Sequence, residues 1–214
     1  MKNTLLVFAV WCLTCGLAYS SETEPISQNA VRITLSGDLG TINFKENGIR
    51  EGHKSLVGVG LTALKENLGY LEIGLWHMGE PLDEDRELPR RGYLIGAGIL
   101  HEAWHAGFAQ ERIERTPNGK YGISWDELSV LTLRARYEHA FGEISFKAGI
   151  LFPIHAEAND GYAWDGRITP SVEIRKTFKR TAISWFWNEE KLVNNEVHHP
   201  ITLKRYGLRF SYWL

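Results

Sequence analysis

The sequence has almost no cysteine. Of 214 residues only 2 are Cys, at positions 12 and 15, and both lie in an N-terminal apolar stretch. The remainder therefore has no disulfide framework, no thiolate metal ligand and no thiol nucleophile. A charge excess is also missing. Lys and Arg number 24 against 26 Asp and Glu, a formal net charge of -2, which gives no reason to expect nucleic acid or an anionic surface as partner. No segment after residue 20 approaches the ~18 consecutive apolar residues of a membrane helix. With a mean hydropathy of -0.25, a helical membrane bundle is excluded. Gross disorder is excluded too, since 43% of residues are hydrophobic and 23% charged. What the chain does have is 21 Gly, 8 Trp, 8 Tyr and 9 Phe, in a sequence with few long helical patterns.

The first 20 residues read as an export signal. Lys2 supplies the positive start, and Leu5 to Leu17 is almost entirely apolar, too short to span a bilayer. Ala18-Tyr19-Ser20 puts small residues at the -3 and -1 positions of a cut before Ser21. Cys15 invites a lipoprotein reading, but Leu13 sits one place too late for a good lipobox. The expected domain is then 21–214, with no internal repeat and no linker dividing it.

That domain alternates with period two. In the last strand Tyr206, Leu208, Phe210, Tyr212 and Leu214 share one face, and Arg205, Gly207, Arg209 and Ser211 the other. Leu131, Leu133, Ala135 and Tyr137 oppose Thr132, Arg134, Arg136 and Glu138. Ile144, Phe146, Ala148, Ile150, Phe152 and Ile154 oppose Ser145, Lys147 and Gly149. Val172, Ile174 and Phe178 oppose Glu173, Arg175 and Thr177. Similar alternation runs through 57–62, 71–76, 93–99 and 182–188. A soluble barrel turns such apolar faces inward; a transmembrane barrel turns them to lipid and the charges to the lumen. Aromatics near strand ends (Tyr137, Phe141, Phe152, Phe178, Tyr212) and small or oppositely charged residues on the other face favour the transmembrane form.

Turn lengths bear on the strand number. Tight connections fall at Glu66-Asn67, Gly142-Glu143 and Lys179-Arg180, and long polar ones at 79–91, 115–127, 156–166 and 189–202. If all short turns share one side, four strands separate the first two: 69–78, 92–102, 105–114 and 129–141. The count is then ten. The weak place is 103–106, which has no strong turn former. Losing 105–114 and, with it, 31–44 gives the alternative of eight. The fold class expected is all-β, a closed antiparallel transmembrane barrel.

At this point the chain resembles bacterial outer-membrane β-barrel proteins. Its last strand is similar to their C-terminal assembly signal, with Arg205, Gly207, Phe210 and Tyr212 in the patterned positions, although the chain continues to Trp213-Leu214 where the class usually ends in Phe or Trp. No subfamily is identified. The resemblance implies placement in the outer membrane of a Gram-negative envelope, insertion by the barrel assembly machinery, and periplasmic chaperones as transient partners. Outer-membrane lipid and lipopolysaccharide are the expected surroundings, and the loop 79–91, acidic then basic, reads as a solvated connection or as a weak divalent-ion or lipopolysaccharide contact.

Three constellations bear on chemistry. The expected lumen set is Glu72, Glu102, Arg134, Arg136, Glu138, Lys147, Glu173, Arg175, Arg205 and Arg209. It reads as a charge-paired plug or, with bases outnumbering acids six to four, as a narrow anion-favouring path. His101-Glu102-Ala103-Trp104-His105 spells the H-E-x-x-H zinc motif. That motif needs a helix, and Gly96 and Gly98 in the preceding segment disfavour one, so His101 and His105 are weak metal candidates beside a strand-end reading. His155, Asp160, His198 and His199 lie in expected external loops and would carry any surface hydrolytic site, with no matching signature. No cofactor is indicated. The functional expectation is a non-enzymatic outer-membrane barrel serving envelope integrity, surface interaction or, porin-like, limited small-solute passage. The alternatives are an enzyme acting on lipid or envelope substrates and a soluble lipocalin-like ligand carrier.

Overall fold

A computed structural model of the chain describes residues 31–46, 50–78, 89–115, 127–159, 163–194 and 199–214. The expected signal peptide, Asp160, His198 and most of the loop 79–91 lie outside the described residues. The strands are β1 (Val31–Glu46), β2 (Arg50–Lys65), β3 (Gly69–Met78), β4 (Pro89–His101), β5 (Trp104–Arg115), β6 (Glu127–Phe141), β7 (Ile144–Ala158), β8 (Ala163–Arg167), β9 (Thr169–Phe178), β10 (Thr181–Asn194) and β11 (His199–Trp213). Each pairs antiparallel with its sequence neighbours, except that β8 and β9 together fill the place between β7 and β10. β11 returns to β1, from Thr34↔Trp213 to Glu46↔Ile201. The wall is a closed barrel of ten staves, one of them interrupted.

The interruption has a local cause. β7 carries a bulge where Leu131 faces His155 and Thr132 faces Pro153, and Pro153 offers no N–H to the next strand. Gly166 comes so close to Pro153 that a Cβ would sit 1.6 Å from its carbonyl oxygen. At the break the Thr169 hydroxyl donates to the carbonyls of Leu151, at 3.4 Å, and Glu189. A single side-chain donor, shared between two carbonyls, thereby stands in for what the ladder lacks there.

Four tight turns lie at one end of the barrel: 66–68, 102–103, 142–143 and 179–180. Each holds a residue at positive φ: Asn67 at 56°, Glu102 at 51°, Gly142 at 62° and Lys179 at 44°. Glycine and asparagine suit that region; Glu and Lys do not. The second turn settles the doubtful 103–106 segment, because β5 pairs along its length with β4 and β6. The eight-strand alternative is excluded. At the other end the strands run further than the sequence pattern indicates. β7 reaches Ala158, β10 reaches Asn194 and β11 starts at His199, so most of the expected long loops 156–166 and 189–202 is strand.

The faces have the transmembrane sense. Large apolar side chains point outward and are exposed, among them Leu71, Ile73, Ile95, Ile99, Phe108, Ile150 and Trp185. The outward residues Ile144 to Ile154 of β7 span a belt about 25–30 Å tall at ordinary strand rise and tilt. At the loop-side edge the outer face turns polar: Arg91 pairs with Glu114, Arg112 with Glu127, and Glu189 with Lys191 and Lys204. Toward the turn end Trp104 and Tyr137 contact at 5.0 Å, and His139 and Phe141 at 4.4 Å. The soluble lipocalin-like alternative required the opposite faces and is excluded.

Placing a charge in this belt should be costly. Ile150→Arg is expected to destabilise the barrel by about 2–4 kcal/mol in lipid vesicles, read from urea titration of the folded band. A neutral or stabilising result would mean that this face meets water.

Candidate functional site

The candidate site is the lumen, since the alternation that greases the outside carries the charges in. Arg205 and Arg209 point inward from β11, Arg134, Arg136 and Glu138 from β6, Lys147 from β7, Glu173 and Arg175 from β9, and Glu72 from β3. Nine of the ten expected lumen residues are there. Glu102 is not. β4 ends at His101, and Glu102 stands exposed in the tight turn, where its N–H meets Asn67 Oδ1 at 3.5 Å.

Three acids were missed. Asp38 on β1 holds Arg209 through two bonds, Arg209 Nε and Nη2 donating to Oδ1 and Oδ2 at 2.7 and 2.8 Å. Glu111 on β5 accepts from Trp76 Nε1 at 2.5 Å and from Arg205 Nη2 at 2.8 Å. Glu190 on β10 brings a carboxylate to 3.6 Å from the same Arg205 nitrogen. Asp38 and Glu111 continue the inward parity of their strands, a signal obscured by glycines around the first and by charges on both faces around the second. Glu190 lies in the stretch that reads as loop. With these three added and Glu102 removed, the lumen of the described residues holds six acids and six bases. The six-to-four excess behind the anion-favouring path is corrected to a balance.

The pairs are stacked along the axis. Under the loop end lies the group of Trp76, Glu111, Arg205 and Glu190, with the Arg205 guanidinium 5.3 Å from the Trp76 ring. Below it Arg134 Nη1 donates to Glu72 at 2.5 Å, and Arg209 lies 5.2 Å from the Phe186 ring. Nearest the turns, Glu138 collects Ser145 at 3.0 Å, Lys147 at 3.2 Å, His105 at 3.3 Å and Arg175 at 3.9 Å. Arg175 also donates to Glu173 at 2.8 Å. Above these layers an apolar group closes the tube: Ile42, Phe44, Met78, Ile113, Leu128, Val130, Trp164, Leu192, Ile201 and Leu203, all nearly or fully buried. These residues continue the inward face of the strands past the membrane belt. Between the closure and the Glu138 group a polar cavity of about 150 Å³ remains.

The other candidates separate. His101 ends β4 on the exposed outer face, whereas His105 points into the lumen against Glu138. The H-E-x-x-H residues therefore straddle a turn, with their imidazoles on opposite sides of the wall and Glu102 between, and cannot ligate one ion as that motif does. His155 is exposed at the β7 bulge, 3.8 Å from Glu157, with no nucleophile placed against it among the described residues. The patterned residues of the last strand split by face: Arg205 and Gly207 inward, Phe210 and Tyr212 outward. Gly207 lies opposite Gly40 at the closing pair of strands, where a Cβ on Gly207 would sit 2.5 Å from the Gly40 Cα.

Buried and surface pairs should differ in weight. Glu111→Ala leaves Arg205 and the Trp76 N–H without their acceptor and should cost about 3–5 kcal/mol. Glu66→Ala breaks an exposed pair with Arg32, of side-chain exposure 51% and 35%, and should cost less than about 1 kcal/mol. Denaturant titration of both variants in vesicles measures the difference; equal effects would mean that the lumen is hydrated like the surface.

No family model and no curated protein matches the sequence. Solved structures do match in fold. The outer membrane protease OmpT from Escherichia coli is 10% identical, with 91% of this chain and 100% of that one covered at a TM-score of 0.48. An outer membrane channel from Pseudomonas putida F1 is 13% identical, with 90% and 100% covered at 0.44. Ail, the attachment invasion locus protein of Yersinia pestis, is 8% identical, with 85% and 99% covered at 0.35. Two of the three are named as outer-membrane proteins, one a protease and one a channel.

Proposed function

We propose that the chain is an integral outer-membrane barrel that forms a closed wall, with its tight turns in the periplasm and its longer connections outside, and that it serves the envelope as a structural or surface-contact protein. The observation that carries this reading is the double closure of the lumen. Six acids and five of the six bases fill the midsection in paired contacts, and the apolar group around Ile42, Phe44, Trp164 and Leu203 seals the loop side. A ten-stranded barrel leaves a narrow bore, and ions held in hydrogen-bonded pairs there do not yield to passing solute at small cost.

Outer-membrane placement is supported by the strand length of the apolar belt, by the charged edge above Trp187 and Tyr206, and by the patterned last strand. The N-terminal apolar stretch before Ser21 fits export, and the assembly machinery and chaperones would follow from that route. On the loop side, paired charges such as Arg91 with Glu114 and Lys204 with Glu189 lie at the height of lipid headgroups, where lipopolysaccharide would meet them.

Two measurements test the reading. Refolded in detergent and run unheated, the protein should migrate differently from the boiled sample and convert to it on boiling. In planar bilayers it should be electrically silent; steady ohmic steps from the wild type would replace the closed wall with a channel.

A further inference from the structure

We infer that the lumen cavity is a binding site for a compact oxyanion, a carboxylate or phosphoryl group, with Arg136 as its anchor. The carboxylates on the cavity wall are already engaged: Asp38 by Arg209, Glu72 by Arg134, Glu111 by Arg205 and Trp76, and Glu173 by Arg175. The cavity's cations are engaged in the same way, with one exception. Among the described residues, Arg136 contacts no carboxylate at ion-pair distance and donates no hydrogen bond.

Arg134 lies two residues away from Arg136 on the same inward face of β6, so two guanidiniums face one space and repel each other. Arg134 is 8% exposed and spends one nitrogen on Glu72, while its Nε has no partner. The Nε of Arg205, 7% exposed on the cavity wall, is also without one. A buried donor without an acceptor is costly, and two guanidiniums side by side are relieved by an anion between them. The planar fork of Arg136 is free to take two oxygens of one group. The space of about 150 Å³ holds about five waters, enough for a small anion with part of its hydration. The balance of six acids and six bases describes the whole lumen; around the cavity itself the wall carries one cation in excess, and that cation is Arg136.

Isothermal titration of the refolded chain in detergent, with sodium phosphate and separately with sodium acetate, tests the site independently of conductance. Saturable one-to-one uptake of either anion, weakened about tenfold or more in Arg136→Gln, supports it. Uptake of phosphate alone identifies a phosphoryl solute, and of acetate alone a carboxylate. No saturable uptake by the wild type, or equal uptake by wild type and Arg136→Gln, overturns it. Folding is checked by the heat-dependent band. If Arg136→Gln does not fold, Arg136→Lys decides: uptake several-fold weaker in the folded variant supports the site, and unchanged uptake overturns it.

Discussion

Everything in this structure depends on the pairing of β1 with β11. In lipid a strand edge has no water to satisfy its N–H and C=O groups, so a sheet in the membrane must close on itself. The closing contact runs from Thr34↔Trp213 to Glu46↔Ile201 and joins the two ends of the described chain. At its centre Gly40 and Gly207 face each other on the lumen side, too close for a side chain on either. Around them Asp38 and Arg209 bind across the same seam through two hydrogen bonds. Closure is thus made by backbone, permitted by two glycines and locked by an ion pair.

Closing ten strands fixes the bore, and the bore sets the chemistry inside. Ionised groups in a narrow lumen lose most of their hydration and persist only where protein partners replace it. The observed layers are that replacement. Glu111 gains an indole and a guanidinium, Glu138 gains a hydroxyl, an ammonium, an imidazole and a guanidinium, and Asp38 gains a fork. Beyond the belt the same inward face turns apolar, because there the strands leave lipid and need only a dry core to hold them together. One inward stripe therefore serves as salt network in the membrane and as hydrophobic core above it.

Much of this was legible in the residues. Period-two alternation with aromatics on one face and arginines on the other led to the barrel, its inverted faces and nine of ten lumen residues. The misreadings share a cause: they fall where local pattern and tertiary role part. Glu102 has the parity of Gly96 and Gly98, but the strand stops one residue earlier and the chain turns there without a glycine. The stretch around Glu190 and Leu192 reads as loop because Glu189, Glu190 and Lys191 are adjacent, yet each finds a partner in the folded wall. Asp38 and Glu111 lie far in sequence from Arg209 and Arg205, and only the register brings them together.

The sequence by itself determined the class of the fold and the sense of its faces, because side-chain alternation follows from strand geometry alone. It also placed three of the four turns, where Asn, Gly or a charged pair breaks the apolar runs. The tertiary structure decided which charges pair, which cation is left over, and where the tube is sealed. Those outcomes depend on the stagger between strands, and a shift of one residue in any pairing would exchange the inner face for the outer. Stagger belongs to the closed barrel as a whole and is written in no single strand.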